Sequence, residues 1–230
     1  MTTPIDRPDP AVPVIAVDGP SGSGKGTLAG ALAAQLGWHL LDSAALYRIV
    51  GWVATQRGLD LAAEDPLAQL AAGLSIEFTA TDVLVDATQV TQEIRSEAAG
   101  LAASTVAAHP AVRQALAGVQ LNMRKPPGLV ADGRDMGTVV FPDALLKIFL
   151  VASAAERARR RQAQLAQRGV SADYEELLAA IHSRDERDRS RPVSPLVPAA
   201  DAVTLDSTSL SIDAVIAQST ALLQERLPER

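Results

Sequence analysis

A strand, a glycine-rich turn and a helix follow one another near the start of the chain, and this order constrains the fold most. Residues 12–17 form a short apolar run that ends at Asp18 and Gly19, as buried parallel strands do. The sequence Gly-Pro-Ser-Gly-Ser-Gly-Lys-Gly-Thr follows at 19–27, and leucines at helical spacing begin directly after it. It departs from the common pattern only at Gly26, where Ser or Thr is usual. This order predicts a loop that holds a phosphate group between the strand and the helix.

The residue types of this loop suit a phosphate for physical reasons. Gly19, Gly22 and Gly24 can adopt backbone angles closed to other residues, so that successive N–H groups point inward. The helix that begins near Gly24 adds its N-terminal donors, and Lys25 adds a mobile positive charge. Lys25 is one of three lysines among 21 basic residues, so its presence in an arginine-rich chain is informative. We predict that a nucleoside triphosphate binds to Gly19, Pro20, Ser21, Gly22, Ser23, Gly24, Lys25, Gly26 and Thr27.

The rest of the chain alternates between strand-like and helix-like segments. Such alternation predicts an α/β fold, in which a central parallel sheet lies between layers of helices. Residues 74–90 break the rhythm, because two short strand-like runs at 75–79 and 82–86 are separated only by turn residues, which predicts a small antiparallel insert. Strands are otherwise predicted at 38–41, 129–131, 148–151 and 202–205, and helices at 24–36, 44–57, 98–108, 154–167, 172–189 and 212–227.

Composition excludes several classes of protein. The chain has no cysteine, which excludes a disulfide scaffold, a thiol nucleophile and cysteine-based zinc or iron–sulfur sites. A formal net charge of −6 argues against a basic nucleic-acid-binding surface. No uncharged apolar run approaches the roughly 18 residues of a membrane helix. The acidic, proline-containing residues 1–11 lack the basic start and apolar core of a signal peptide, so we expect a flexible leader and a cytoplasmic protein.

The strand that ends at residue 131 indicates how the triphosphate is used. GTPases carry an Asn-Lys-x-Asp motif, which is absent here because the single asparagine, Asn122, is followed by Met-Arg-Lys. Motor and remodelling ATPases place a water-activating Glu after an Asp at a strand end, whereas this strand leads into Asp132-Gly-Arg-Asp135. A small-molecule kinase is favoured, because it needs no water-activating group and benefits from the exclusion of water.

The arginines are spread over several elements, which indicates an acceptor that itself carries a phosphate. Arg48 lies on the second predicted helix, and Arg134 lies in a loop at the carboxyl edge of the sheet, where α/β proteins bind ligands. Two runs, 157–161 and 184–191, carry four arginines each. Holding two polyanions face to face requires such charges. The alternative for each run is an ordinary solvated or salt-bridged helix face.

Longer stretches of the sequence resemble one family, the bacterial cytidylate (CMP) kinases. The resemblance covers nearly the whole chain from residue 14 onward and is most specific in Gly-Arg-Asp-Met-Gly-Thr-Val-Val-Phe-Pro at 133–142. That stretch separates the family from adenylate, shikimate and guanylate kinases, which the phosphate loop alone does not. Further stretches that resemble the family lie at 38–43, 147–150, 184–202 and 205–212.

The resemblance implies a P-loop kinase that uses MgATP to phosphorylate CMP and dCMP to the diphosphates, a step of pyrimidine nucleotide metabolism. It implies a single domain of three α/β/α layers, with a nucleotide-monophosphate-binding insert at about 62–98 and a short helical lid at about 158–192. We expect a monomer whose partners are small nucleotides rather than nucleic acids or membranes. Mg²⁺ is expected to be held mainly by phosphates and water, with Asp132 reaching it through water or organising the phosphate loop.

The resemblance also implies how the acceptor base is recognised. Ser104, Arg113 and Asp135 match family positions that contact cytosine. A carboxylate that accepts a hydrogen bond from the exocyclic amine of cytosine would face a carbonyl in uracil, which leaves two acceptors opposed. The one departure from the family pattern is Ala44, where Gly is expected after Leu-Asp-Ser, and it bears on the direction of the Ser43 side chain.

The remaining roles concern the ribose, the phosphates and the transferred group. Arg184 and Asp188 match positions near the ribose. The acceptor phosphate is expected to contact Arg48, Arg134 and Arg191, with Ser43 and Asp132 completing the substrate site. Arg157 and Arg161 are predicted to contact ATP. The catalytic residues are predicted to be Lys25, Arg134, Arg184 and Arg191.

Two alternatives stay open at this point. One is another P-loop small-molecule kinase, such as a UMP or shikimate kinase, and the other is a nucleotide-binding regulator without catalysis. A general base is not expected, because the second pKa of a phosphate monoester is about 6 and the acceptor is already ionised. The widely spaced His39, His109 and His182 show no metal-ligand pattern and are interpreted as structural.

Overall fold

The computed structural model describes residues 9–79, 82–167 and 169–226. The chain divides into two compact units. The sheet unit contains the described residues of 9–41 and 121–226, and the helical unit contains those of 42–120. The predicted leader, 1–11, lies outside the described residues as far as residue 8. At its end, Nη2 of Arg124 donates a hydrogen bond to the carbonyl of Pro10 at 2.8 Å.

Most predicted segments are found within a few residues of their expected positions. The strands within the described ranges are β1 (Val14–Asp18), β2 (His39–Asp42), β3 (Ile76–Phe78), β4 (Val83–Val85), β5 (Thr88–Gln89), β6 (Leu129–Asp132), β7 (Leu146–Val151) and β8 (Val203–Asp206). The α-helices are α1 (Lys25–Leu36), α2 (Ser43–Gln56), α3 (Glu64–Gly73), α4 (Glu97–Val106), α5 (Pro110–Asn122), α6 (Ala154–Gln167), α7 (Tyr174–Arg189) and α8 (Ile212–Arg226). A 3₁₀-helix at Glu93–Arg95 and a π-helix at Met136–Val140 complete the set.

The sheet unit is built on five strands in the order β2-β6-β1-β7-β8. The central strand, β1, pairs in parallel with β6 on one side and β7 on the other, so that Ala16 lies opposite Ala131 and Lys147. All five residues of β1 are buried, as expected of a parallel strand that is covered on both faces. The predicted α/β class with a central parallel sheet is confirmed.

One face of this sheet packs against α1 and α8. Leu28 and Leu32 of α1 and Val215 and Leu223 of α8 are almost inaccessible and form one cluster with Ile15 of β1. Each fully buried aliphatic side chain contributes about 1.5–3 kcal/mol of transfer free energy. This packing fixes the carboxyl ends of neighbouring parallel strands at a common edge, from which the phosphate loop leaves.

The helical unit contains the predicted antiparallel insert. Strands β3, β4 and β5 form a three-stranded sheet, in which β4 and β5 are joined through Asp86 and Ala87 with φ of +49° and +63°. Positive φ at both central residues is the conformation of a tight hairpin turn. Helices α2 and α4 approach closely at Gly51. A Cβ atom there would lie only 2.8 Å from Cβ of Ala102. The antiparallel insert is confirmed, while its proposed limits at 62–98 stay a prediction.

Within the described ranges, α3, α5, the 3₁₀-helix and the π-helix lie outside the predicted segments. Helix α5 begins with Pro110, whose missing N–H group costs nothing at the first position of a helix. Helix α3 carries Glu64 and Asp65 in its first turn, where negative charge is favourable. The π-helix consists of Met, Gly, Thr and two Val residues, most of which disfavour helices, so its conformation depends on contacts with other parts of the fold. Every helix within the described ranges is too short or too polar to cross a membrane.

Candidate active site

The phosphate loop joins β1 to α1 through three glycines with positive φ. The φ angles of Gly19, Gly22 and Gly24 are +144°, +80° and +98°, a region that other residues rarely adopt. A Cβ atom on Gly19 would lie 2.0 Å from the carbonyl oxygen of Leu150, so no side chain fits there. The glycines therefore adopt backbone conformations of the kind that the loop pattern predicts.

Lys25 is the first residue of α1 and is only 4% exposed. Its Nζ donates a hydrogen bond to the carbonyl of Pro20 at 3.0 Å and lies 3.9 Å from Oδ1 of Asp132. Burial, followed by the positive charge of Arg134, lowers the pKa of Lys25 from 10.5 to about 8. The ammonium group is therefore charged at neutral pH in surroundings that leave it poorly hydrated, where a phosphate would be a strong partner.

The departure at Gly26 has a physical reason in the fold. A Cβ atom on Gly26 would lie 3.3 Å from Oδ2 of Asp132, the last residue of β6. That distance is slightly shorter than an ordinary contact, so a side chain at 26 would displace the carboxylate by a few tenths of an ångström. Gly26 and Asp132 are thus a matched pair, and the carboxylate remains beside Lys25.

Two residues that are absent from the predicted site form hydrogen bonds with the main chain of the phosphate loop. The Oγ atom of Ser207, which follows β8, lies 3.0 Å from the carbonyl oxygens of both Ser23 and Val151. Arg160 of α6 donates to the carbonyl of Ser23 at 3.3 Å and to that of Ser207 at 2.6 Å. The sequence signals for them were weak, since Ser207 lies in a family-like stretch and Arg160 in the arginine run.

The predicted ATP contacts Arg157 and Arg161 have different surroundings. Arg157 is 3% exposed, and its guanidinium donates to both oxygens of Asp185 at 3.0 and 2.5 Å and to the carbonyl of Ser21 at 3.1 Å. Arg161 is partly exposed and donates to Oε1 of Gln164 on its own helix. Arg157 therefore links α7 to the phosphate loop, and ATP contact stays a prediction for both arginines.

Two of the predicted acceptor-phosphate arginines meet at one carboxylate in the sheet unit. Asp188 of α7 is 1% exposed, and its oxygens accept hydrogen bonds from Nε of Arg134 at 3.3 Å and from Nη2 of Arg191. The positive charges of Arg134 and Arg184 both lower the pKa of Lys25, so they lie within electrostatic range of the phosphate loop. The structure therefore brings four predicted cations of this unit into one neighbourhood.

Asp135, the predicted reader of the cytosine amine, lies at the start of the π-helix. Asp135 is 3% exposed, and its main-chain carbonyl accepts hydrogen bonds from the N–H groups of Val139 at 2.9 Å and Val140 at 3.2 Å. Two residues before Asp135, the N–H of Gly133 donates a hydrogen bond to the carbonyl of Val17 in β1 at 3.0 Å. Asp135 is thus placed by main-chain contacts on both of its sides.

The helical unit carries Ser43 and Arg48 on α2. Nη1 of Arg48 donates to the carbonyl of Ile94 at 2.8 Å and to that of Ser96 at 3.2 Å, so the guanidinium is oriented by the main chain. Ser43 is buried at the first position of the helix, whose N-cap residue is Asp42. Ala44 lies inside the same helix with no positive φ, so a side chain in place of the expected glycine causes no backbone strain.

The other two predicted base contacts, Ser104 and Arg113, also belong to the helical unit. Ser104 of α4 is 5% exposed, and its Oγ has no hydrogen-bond partner within the described part of the chain. Arg113 of α5 donates to the carbonyl of Ala107 at 3.3 Å, and its Cζ lies 5.4 Å from the ring centroid of Tyr47. A buried hydroxyl without a partner is unusual in a folded protein and has room for a further partner such as water or a ligand.

Comparison with known proteins shows which family the chain resembles as a whole. The family model described as cytidylate kinase matches residues 15–225, which run through both units. The chain belongs to the cytidylate kinase family. The resemblance found in the sequence is thereby confirmed, and the most specific family-like stretch coincides with the loop that carries Arg134, Asp135 and the π-helix.

Individual members of the cytidylate kinase family match over almost their whole length. A cytidylate kinase of Pectobacterium atrosepticum is 55% identical over 219 residues, which cover 94% of this chain and 97% of that protein. One of Pseudomonas paraeruginosa is 57% identical over 212 residues, covering 90% and 93%. One of Serratia proteamaculans is 54% identical over 219 residues, covering 94% and 96%.

Proposed function

We propose that this member of the cytidylate kinase family transfers the γ-phosphoryl group of ATP to CMP and dCMP, giving CDP or dCDP and ADP. The observation that carries the proposal is the 55% identity over 94% of the chain with a protein named cytidylate kinase. The phosphate loop supports it, because its glycine conformations and buried Lys25 suit a triphosphate donor. The alternatives of a UMP or shikimate kinase, and of a regulator without catalysis, are not favoured by these relatives.

On the donor side, residues 19–27 would surround the terminal phosphates with main-chain N–H groups. Lys25 would supply a point charge that follows the phosphoryl group as it moves. Its burial strengthens this effect, since little water competes for the charge. Arg157 would keep the loop in shape through the carbonyl of Ser21, and Arg161 on the same helix is the second proposed ATP contact.

On the acceptor side, three side chains are proposed to read the cytosine ring. Asp135 would accept a hydrogen bond from the exocyclic amine, and the carbonyl of uracil would be repelled from the same place. The buried hydroxyl of Ser104 would pair with a polar atom of the base, because it has no partner among the described residues. Arg113 would donate to a ring acceptor from its position beside Tyr47.

The sugar and phosphate of the acceptor are proposed to contact the charged residues. Arg48, Arg134 and Arg191 would hold the phosphate, with Ser43 nearby. Arg184 and Asp188 would contact the ribose. The carboxylate of Asp188 already pairs with Arg134 and Arg191, so it would also keep those guanidinium groups in place.

The chemistry requires little covalent participation by the protein. The acceptor phosphate is largely a dianion at neutral pH, since its second pKa is about 6, and no general base is needed. One of its oxygens forms a bond to the γ-phosphorus while the bond from that phosphorus to the β,γ-bridging oxygen breaks, and ADP leaves with the electron pair. Lys25, Arg134, Arg184 and Arg191 would stabilise the charge on the transferred group and keep donor and acceptor aligned.

The residues beside the phosphate loop also fit a magnesium ion. Mg²⁺ takes oxygen ligands and usually keeps several waters. Asp132 offers one carboxylate there, 3.9 Å from Nζ of Lys25. The ion would therefore be held mainly by phosphates and water, with Asp132 reaching it through water, and when bound it supplies neutralisation of phosphate charge.

The remaining expectations concern the organisation of the enzyme. We propose residues 62–98 as the nucleotide-monophosphate-binding insert and residues 158–192 as the lid, which contains most of α6 and α7. We also propose a monomer in the cytoplasm that acts on free nucleotides and binds neither nucleic acid nor membranes. Sedimentation of the purified protein tests whether it is a monomer, and fractionation of the source cells tests whether it is cytoplasmic.

A coupled assay of ADP formation with ATP and Mg²⁺ tests the function. We expect ADP release that depends on added CMP or dCMP, with slower turnover of UMP, AMP and shikimate. Lys25→Met should lower kcat by roughly 10²–10³, the range for loss of one transition-state charge contact, with the fold unchanged by circular dichroism. Lys125→Met, a matched change at an exposed lysine, should leave kcat unchanged. Near-normal turnover by Lys25→Met, or faster turnover of UMP than CMP, would overturn this account.

A further inference from the structure

Asp18 is the last residue of β1 and lies directly before the first glycine of the phosphate loop. Its side chain is buried, and each of its carboxylate oxygens accepts a hydrogen bond from a different main-chain N–H group. Oδ1 accepts from Met136 and Oδ2 accepts from Gly137, both at 2.8 Å. These two N–H groups open the π-helix, where a helix has no internal acceptor for them. One carboxylate therefore joins the start of the phosphate loop to a second loop.

That second loop, residues 132–142, is called the acceptor loop here because it carries Asp132, Arg134 and Asp135. It is fixed near both of its ends as well as in the middle. Gly133 donates its N–H to the carbonyl of Val17 at 3.0 Å, and the carbonyl of Pro142 accepts from Nζ of Lys147 at 2.7 Å. Asp18 supplies the fixed point between these two, immediately after Asp135.

Gly137 lies close to both Asp18 and Lys147. A Cβ atom on Gly137 would lie 3.1 Å from Cδ of Lys147 and 3.4 Å from Oδ2 of Asp18. The aliphatic part of Lys147 therefore lies against the acceptor loop, while its ammonium group pairs with Asp201 at 2.8 Å. A methyl group at 137 would therefore touch the Asp18 carboxylate and press on the Lys147 side chain by a few tenths of an ångström.

The charge of Asp18 is costly where it lies. Burial raises the pKa of Asp18 from 3.8 to about 6, and the charge of Asp135 adds to this, although the two N–H groups and Lys25 oppose it. The group is ionised at neutral pH in spite of its burial. An uncharged side chain would avoid that cost, so the presence of a carboxylate here indicates a purpose other than stability.

We propose that Asp18 is a positioning residue for the acceptor: it holds the main chain that carries Arg134 and Asp135 at a fixed place relative to the phosphate loop. It thereby determines acceptor affinity and the preference for cytosine over uracil. The inference rests on the proposed function, because that function assigns Arg134 to the acceptor phosphate and Asp135 to the cytosine ring.

Asp18→Asn tests the proposal with almost no change in volume. The amide has one acceptor oxygen, so one of the two main-chain N–H groups would face an NH₂ group. We expect the KM for CMP to rise roughly 10- to 100-fold, which corresponds to the loss of one hydrogen bond to a charged group. The ratio of kcat/KM for CMP to that for UMP should fall about 10-fold. The KM for ATP should change by less than about threefold and Tm by no more than about 5 °C.

Asp60→Asn is the matched control, because the exposed carboxylate of Asp60 also accepts a main-chain N–H, from Ala62 at 2.9 Å. It should leave both KM values and the CMP-to-UMP ratio unchanged. If Asp18→Asn does not fold, Gly137→Ala disturbs the same contact with the charge kept, and the same shifts in the KM for CMP and in the ratio are expected.

The outcomes separate this inference from the function on which it rests. A wild-type protein without CMP-dependent ADP formation overturns both. A wild-type protein with that activity, together with an Asp18→Asn variant that keeps its KM for CMP and its CMP-to-UMP ratio, overturns the positioning role alone. Equal losses for every acceptor and for ATP, with a large fall in Tm, would assign Asp18 a purely structural role and also overturn the proposal.

Discussion

The two units orient their proposed phosphate-binding arginines with different chemical groups. In the sheet unit, Arg134 and Arg191 both donate to the buried carboxylate of Asp188. In the helical unit, Arg48 donates to the main-chain carbonyl of Ile94. A carboxylate neutralises a guanidinium as well as directing it. An incoming phosphate must therefore share the sheet-unit arginines with a resident anion.

Removal of these contacts should also cost different amounts of stability in the two units. Breaking one side of a buried ion pair leaves an uncompensated charge, which typically costs about 3–5 kcal/mol. Loss of a hydrogen bond to a carbonyl costs about 1.5–3 kcal/mol when the donor is charged. Stability should therefore depend more on the carboxylate of Asp188 than on either carbonyl contact of Arg48.

The largest effect is expected when the arginines themselves are removed. Arg134→Met should lower kcat/KM for CMP by about 10³ and Arg48→Met by about 10², with kcat reduced mainly in the first variant. The reason is that the charge of Arg134 already reaches Lys25, and so reaches the transferred group, as its effect on the pKa of Lys25 indicates. Steady-state kinetics with CMP as the varied substrate measure both.

Arg159→Met provides the control for that comparison. Arg159 is an exposed arginine of α6 whose guanidinium pairs with Glu156, so its removal should leave kcat and both KM values unchanged. If Arg134→Met and Arg48→Met were to change only the KM for CMP, and by equal factors, the two units would not differ in the way described.

A smaller effect is expected when the resident anion is removed. Asp188→Asn should make inorganic phosphate a stronger inhibitor, with an inhibition constant about 10-fold lower, because Arg134 and Arg191 then lose the negative charge of Asp188. Its Tm should fall, and added phosphate should restore part of the loss by binding the native state. Inhibition assays against ATP and thermal unfolding with and without phosphate provide the measurements.

Asp143→Asn is the matched variant for this test, since it removes a carboxylate from another buried arginine, Arg124, within the sheet unit. Arg124 keeps its contacts with main-chain carbonyls, so phosphate should have no additional effect on that variant. An inhibition constant for phosphate that is the same in Asp188→Asn and the wild-type protein would contradict the competition between carboxylate and phosphate.

The smallest effects are expected from pH, and they should arise in the sheet unit. Lys25 has a pKa lowered to about 8, so kcat/KM for ATP should decrease above pH 8 as its ammonium group loses its proton. Asp18 has a pKa raised to about 6, so kcat/KM for CMP should decrease below pH 6. Profiles from pH 5 to 9.5 measure both limbs.

The acid limb contains a contribution from CMP, whose phosphate also titrates near pH 6. Comparison of the wild-type protein with Asp18→Asn isolates the contribution of Asp18. Below pH 6, kcat/KM for CMP should fall more steeply in the wild-type protein than the titration of CMP alone requires, and this extra fall should be absent from the variant.

The folded pKa of Asp18 lies above its unfolded value, so its contribution to stability is present below about pH 4 and is lost as the pH rises through 6. The change is on the order of 3 kcal/mol. An alkaline limb that begins near pH 10 would contradict the pKa of Lys25.

The phosphate loop was predictable because its signals are local. Gly19, Gly22 and Gly24 are needed for backbone angles that only a few consecutive residues determine, and Lys25 follows them at a fixed spacing. The parallel sheet was predictable for a similar reason, since buried strands are short apolar runs between helices. The three-stranded insert could be recognised because its turn residues interrupt the helical pattern.

The ion pairs could not be predicted, because their partners are far apart in the sequence. The run at 184–191 alternates in charge, which is equally typical of a surface helix with internal salt bridges. In the structure, Asp185 and Asp188 of that run are buried and pair with Arg157 and Arg134 from other elements. The π-helix was missed for the same reason, since its conformation depends on the carboxylate of Asp18 in a distant strand.

The distribution of the three lysines has a consequence for chemical labelling. Lys25 and Lys147 are buried, whereas Lys125 is exposed. Amine-directed reagents at low dose should therefore modify Lys125 before the other two lysines, which offers a site for attaching a dye or a surface linker. At higher dose, the pKa of Lys25, lowered to about 8, should leave part of its amine unprotonated and able to react. Protection of that amine by a bound nucleotide would then report occupancy of the phosphate loop directly.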